Sequence, residues 1–164
     1  MLVEWFSAGK PTAVGLATGA VAGLVAITPA SGVAGPLGAI IIGFASGFIC
    51  YYCATTLKKK FGYDDSLDVF GVHGIGGIVG AVLTGVVAYK SFGGSGAAEL
   101  EGAVSLGVQV FAQIKSVIVT IVWSGVVSVV TLLAVDKIVG LRVDDDVEEQ
   151  GLDFTEFGET GYNQ

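Results

Sequence analysis

Between Pro11 and Thr56 the sequence contains no aspartate, glutamate, lysine or arginine. Two further uncharged stretches run from Val69 to Tyr89 and from Ser116 to Val135. A helix needs about 20 mainly apolar residues to cross the hydrocarbon core of a bilayer. The first stretch is long enough for two crossings and the others for one each. The chain is therefore expected to be all-α, a polytopic membrane bundle of four transmembrane helices at about residues 11–28, 37–57, 69–89 and 104–139. Thr28-Pro29-Ala30-Ser31-Gly32 and Gly35-Pro36 divide the first stretch, because proline removes a donor and glycine loosens the backbone. Lys58, Lys59 and Lys60 close the second helix, and Asp64, Asp65, Ser66 and Asp68 precede the third, where acids suit the positive end of its dipole. Residues Ser91 to Gly96 read as a flexible loop.

Charge divides the chain differently. From Leu141 onward eight acids face the single base Arg142, a balance of −7 that equals the net charge of the whole chain. Residues 1–140 form a neutral membrane region, and 141–164 an acidic tail. Lys10, Lys58, Lys59, Lys60, Lys137 and Arg142 fall on the side shared by the N-terminus, the 58–68 loop and the tail, so the positive-inside rule makes that side cytoplasmic. The expected location is the cell membrane, multi-pass, with a cytoplasmic tail. Lys115 falls near the outer interface, where its stem can snorkel.

Several classes of chemistry find no support. A basic nucleic-acid footprint is absent. Cys50 and Cys53 form a C-x-x-C within an uncharged helix without a second ligand pair, which reads as packing rather than a metal or redox site. No nucleophile–base pair or phosphate loop points to an enzyme, and nothing calls for a cofactor. Gly15, Gly19 and Gly23, Gly43 and Gly47, and Gly76 and Gly80 recur every four residues. Small residues at this spacing let membrane helices approach closely. Four helices offer too few partners for all those faces.

His73 is the only histidine, and it lies within an apolar helix. An ionisable side chain at membrane depth is costly and marks a candidate functional site. Imidazole handles protons near neutral pH. Two uses stay open at this point, a packing hydrogen bond to a neighbouring helix and a role in conduction. By straight helical geometry Gly77 and Gly80 share its face, whereas Asp68 lies about 140° away and is expected to support the helix start rather than pair with His73.

Gly9-Lys10-Pro11-Thr12, Ile27-Thr28-Pro29-Ala30-Ser31-Gly32, Asp68-Val69-Phe70-Gly71-Val72-His73-Gly74, Val122-Trp123-Ser124-Gly125 and Gly140-Leu141-Arg142-Val143 occur in this order. Gly151-Leu152-Asp153, Gly158-Glu159 and Tyr162 follow. Together they resemble the last four spans and regulatory tail of the ammonium transporter (Amt/Mep/Rh) family. The resemblance implies eleven spans, homotrimers, and a narrow apolar pore in each subunit that conducts ammonia after ammonium gives up its proton. By that resemblance His73 is the second of two pore histidines, Val69 helps line the pore, and Asp68 has a structural role. Gly140, Leu141, Arg142, Val143, Gly158, Glu159 and Tyr162 belong to tail contacts. Met1 to Ser7 resembles the end of the seventh span, so the chain is expected to be a C-terminal portion, inactive without the preceding spans. The alternative function is a regulatory module that binds a PII-type signalling protein through the tail. Phe157 departs from the histidine that some bacterial members carry.

Overall fold

The computed structural model describes residues 1–96 and 104–160. It divides into two compact units, Met1–Val119 and Thr120–Gln164. The described residues are helical and contain no strand.

In the first unit, α1 (Leu2–Ala8) ends at Gly9, whose positive φ of 77° reverses the chain. Thr12 then caps α2 (Ala13–Ile27), its hydroxyl accepting from the Gly15 N–H at 2.9 Å. The Glu4 carboxylate takes the Thr12 N–H at 3.1 Å and its hydroxyl at 2.6 Å, which ties α1 to the start of α2. Helix α2 tightens into a 3₁₀ turn at Thr28–Ala30, where Pro29 lies in the first turn. Helix α3 (Pro36–Tyr52) starts on a proline, widens into a π turn at Cys53–Leu57, and resumes as α4 (Lys58–Phe61). A second π turn, Phe70–Gly74, leads into α5 (Ile75–Val87). A long helix, α6, runs over Leu106–Ile138, beginning in the first unit and ending in the second. Among the described residues four helical runs are long and apolar enough to cross a membrane: Ala13–Ala30, Pro36–Phe61, Phe70–Val87 and Leu106–Ile138. These match the four expected helices, with ends shifted by a few residues.

Helices α2, α3 and α5 pack together. Ala26, Ala30, Ile42 and Val87 form one buried cluster, and Ala22, Cys50 and Val72 a second. Small side chains dominate because the backbones approach closely: a Cβ on Gly76 would lie 3.3 Å from the Cys50 sulfur and 3.4 Å from Val25. Buried polar groups bond within their own helices. The Thr84 hydroxyl donates to the Gly80 carbonyl at 2.8 Å, and that of Ser46 to Gly43 at 3.2 Å. Both cysteines are buried in this packing.

Residues 91–96 differ from the flexible loop expected. Lys90–Phe92 forms a 3₁₀ turn. The amide of Ser95 then donates to the Val33 carbonyl at 2.9 Å, and that of Gly96 to Ala88 at 3.0 Å. Glycine makes this possible, because a Cβ on Gly94 would sit 2.7 Å from the Ala88 carbonyl carbon. The segment is strapped across the end of α5.

Candidate functional site

The helix that carries His73 begins at an unusual bend. Asp68 is the one non-glycine residue with positive φ, at 54°, among the described residues. Short polar side chains tolerate this left-handed conformation better than most. The Asp65 carboxylate accepts from the Val69 N–H at 2.7 Å and the Phe70 N–H at 2.9 Å, so Asp65 satisfies the first orphan donors of the new helix. The Asp68 carbonyl accepts from the Val72 N–H at 2.8 Å, and its carboxylate pairs with Lys58 Nζ at 2.6 Å. Asp68 thus does not pair with His73. Tyr63 packs edge-on against Phe70 with ring centroids 5.7 Å apart. Its hydroxyl is buried with no hydrogen-bond partner among the described residues. Burial and the Asp65 carboxylate hold its phenol above the usual tyrosine range.

The two π turns face one another. A Cβ on Gly71 would lie 3.1 Å from the Ala54 nitrogen and 3.2 Å from its Cα, and the Cys50 thiol points at the Val72 carbonyl, 3.9 Å away. Ala54 lies seven residues inside the Phe61 end of its helical run, about 10 Å at 1.5 Å per residue. His73 is therefore set well inside the end of the neighbouring run, although it is close to the start of its own.

His73 itself is exposed, as are Val69, 52% exposed, and Phe70. No other described residue gives the imidazole a hydrogen bond. The packing role left open by the sequence has no partner within these residues. Straight helical geometry put Gly77 and Gly80 on the His73 face, and for Gly80 the structure differs. Gly80 is buried against α2, whereas a Cβ on Gly77 would meet nothing within 4 Å and His73 is exposed. The wide turn at Phe70–Gly74 shifts His73 around the helix relative to α5. A cleft of about 460 Å³ lies in the same unit, lined by Met1, Glu4, Gly19, Phe48, Tyr51 and Val72 among others. Asp68 reaches its wall, but His73 and Val69 do not.

The remaining expected site residues belong to the second unit. Gly140 turns the chain with φ 84°, and exposed Leu141 follows it. Arg142 donates from Nη2 and Nε to Glu148 at 2.7 and 3.1 Å. Val143 is half-buried ahead of two short helices, Asp145–Gln150 and Leu152–Thr155. Gly158 again takes positive φ, and the Glu159 N–H donates to the Asp153 carbonyl at 2.8 Å. Tyr162 lies outside the described residues.

Sequence reasoning missed Lys58 and Asp65. An acid four residues ahead of a helix is a usable capping signal, but Asp64, Asp65 and Asp68 all compete for the role. Nothing in three consecutive lysines tells which one folds back.

A sequence model of the Ammonium Transporter Family matches residues 1–162. An ammonium transporter of Aquifex aeolicus is 49% identical over 163 residues, which are 99% of this chain and 37% of that protein. One from Bacillus subtilis is 45% identical over 99% of this chain and 40% of its own length. A solved structure titled Sensor Amt Protein superimposes with a TM-score of 0.80 at 29% identity, covering 94% of this chain and 37% of the other. The chain thus spans about two fifths of the length of these relatives.

Proposed function

We propose that this chain, which belongs to the Ammonium Transporter Family, supplies the His73-bearing wall of a pore that moves ammonium across the cell membrane as ammonia. The observation that carries the reading is the exposed imidazole of His73, which stands with Val69 and Phe70 on an apolar membrane helix. An unpaired ionisable group is too costly to be left on a lipid-facing surface, so a polar route or a second histidine on another span is its natural neighbour. Stripping water from ammonium in an apolar pore is expensive, while neutral ammonia crosses more readily. An imidazole at that point can take and return the proton. Val69 lines the same route, and Asp68 holds the helix start that presents both. The four spans then require the preceding spans of the longer relatives to close the pore, and the complete subunits assemble as homotrimers.

Labelled methylammonium uptake in cells lacking their own ammonium transporters tests this. The chain would be expressed alone, together with the N-terminal spans of a longer relative, and in both settings as His73→Ala. Uptake is expected only on co-expression. The substitution should lower it by about a hundredfold, the low end for loss of a positioned proton-transfer group. Uptake by the chain alone, or co-expressed uptake indifferent to His73→Ala, would refute the pore reading.

A second reading concerns the tail. Acid-rich segments usually stay hydrated and irregular, yet here Arg142 clamps Glu148 and the chain beyond it forms two short helices. That internal order favours a contact surface for a PII-type signalling protein, built from Gly140 to Val143 and from Gly158, Glu159 and Tyr162. Deleting residues 144–164 should abolish such binding in a pull-down with purified PII. Full retention of both binding and transport would dismiss the regulatory role.

A further inference from the structure

Lys58 differs from the two lysines that follow it. Its side chain is 28% exposed, whereas Lys59 and Lys60 lie open on the surface. Its ammonium donates twice across the turn to the next span, to the Asp65 carbonyl at 2.8 Å and to Asp68 Oδ1 at 2.6 Å. Those acceptors are the two ends of the bend that launches the π turn. The Asp65 carboxylate caps the Val69 and Phe70 amides, and Asp68 holds the left-handed conformation from which its carbonyl accepts the Val72 N–H.

We infer that Lys58 is a positioning residue for His73: by gripping Asp65 and Asp68 together, it fixes the bend and so the direction in which the Phe70–Gly74 turn presents the imidazole. The grip is geometric and stands without the pore. Its consequence for transport rests on the pore reading above. A positive φ at a residue bearing a side chain persists only where the surroundings over-determine it. Here the surroundings supply one ammonium with two acceptors, one on the side chain of the bent residue and one on the backbone three residues before it. Removing the ammonium leaves the Asp68 carboxylate without its partner at the membrane edge, and the bend is then free to relax.

The chain contains a single histidine, so its imidazole gives one assignable ring signal by NMR in lipid nanodiscs. That signal and the amide exchange of Val69 and Phe70 would be followed in Lys58→Met, Asp68→Asn, the double variant, Lys58→Arg and Lys59→Met. Lys58→Met and Asp68→Asn should each displace the ring signal and speed exchange at the two amides about tenfold, the scale of a lost charge-assisted hydrogen bond. The double variant should be no worse than the larger single one, since both remove the same pair. Lys58→Arg should restore the wild-type pattern, and Lys59→Met should match wild type throughout. An unchanged ring signal in Lys58→Met overturns the inference. So do multiplying effects in the double variant, or equal acceleration along the whole of Ile75–Val87, which would mean general loosening. With the N-terminal spans co-expressed, Lys58→Met should lower maximal uptake and leave half-saturation within about twofold. Uptake indifferent to His73→Ala would defeat the pore reading while the NMR comparison still decides the role of Lys58.

Discussion

Replacing Gly80 by valine should pull α5 away from α2 and destabilise the membrane bundle by more than about 3 kcal/mol, beyond the usual cost of overpacking a core. A Cβ at position 80 would fall 2.8 Å from the Ala26 carbonyl carbon and 2.9 Å from its Cα. Both are backbone atoms in the last turn of α2, so no side chain can rotate out of the way. Ala26 is itself fully buried in the cluster with Ala30, Ile42 and Val87, and a shift of α2 would open that cluster as well. The matched control is Gly77→Val, one turn earlier on the same helix, where a Cβ meets nothing within 4 Å. In the isolated chain that substitution should change stability by no more than about 0.5 kcal/mol. Reversible unfolding of both variants in mixed micelles decides the matter. Equal midpoints for Gly80→Val and Gly77→Val would show that α2 and α5 do not pack through this glycine.

The contrast between those two glycines also shows what the sequence could and could not convey. The uncharged runs alone located the four spans, because a bilayer accepts long apolar helices and little else. The proline-containing break at Thr28–Pro36 and the lysines at 58–60 marked helix ends for equally direct reasons. A glycine repeat, however, reports that a helix can be approached closely and not which repeat is approached. Gly76 and Gly80 are engaged, while Gly23, Gly43 and Gly47 have nothing within 4 Å of a Cβ position. The candidate site was legible as residue types, His73 with Val69 and Asp68, but not as geometry. A π turn differs from an α turn by one residue in its hydrogen-bond register, and no residue in Phe70–Gly74 or Cys53–Leu57 announces it. Projecting His73 along an ideal helix therefore placed it beside Gly80, on the wrong side. The Lys58 grip was hidden for a related reason: it depends on how a loop of seven residues, Gly62 to Asp68, folds back between two helix ends.

Those facing π turns lead to the other large effect. Gly71→Leu should displace His73 and lower co-expressed uptake by about tenfold or more, although residue 71 has no chemistry of its own. A Cβ there would already sit 3.1 to 3.3 Å from the nitrogen, Cα and Cβ of Ala54. One methyl group is borderline, and a branched side chain cannot fit unless the turns separate. Separation would carry the Val72 carbonyl away from the Cys50 thiol and move the adjoining imidazole with it. The series Gly71→Ala, Gly71→Val, Gly71→Leu should therefore show a graded shift of the histidine ring signal, with uptake falling in the same order. Because the Gly80–Ala26 contact is untouched, unfolding midpoints should fall less than in Gly80→Val. If Gly71→Leu left the ring signal and uptake at wild-type values, the close packing of the two turns would have no bearing on where His73 stands. A fall in uptake without a shift in the ring signal would separate pore function from histidine position. The graded pair of changes is the result expected if the backbone contact at Gly71 and the imidazole two residues later move as one body.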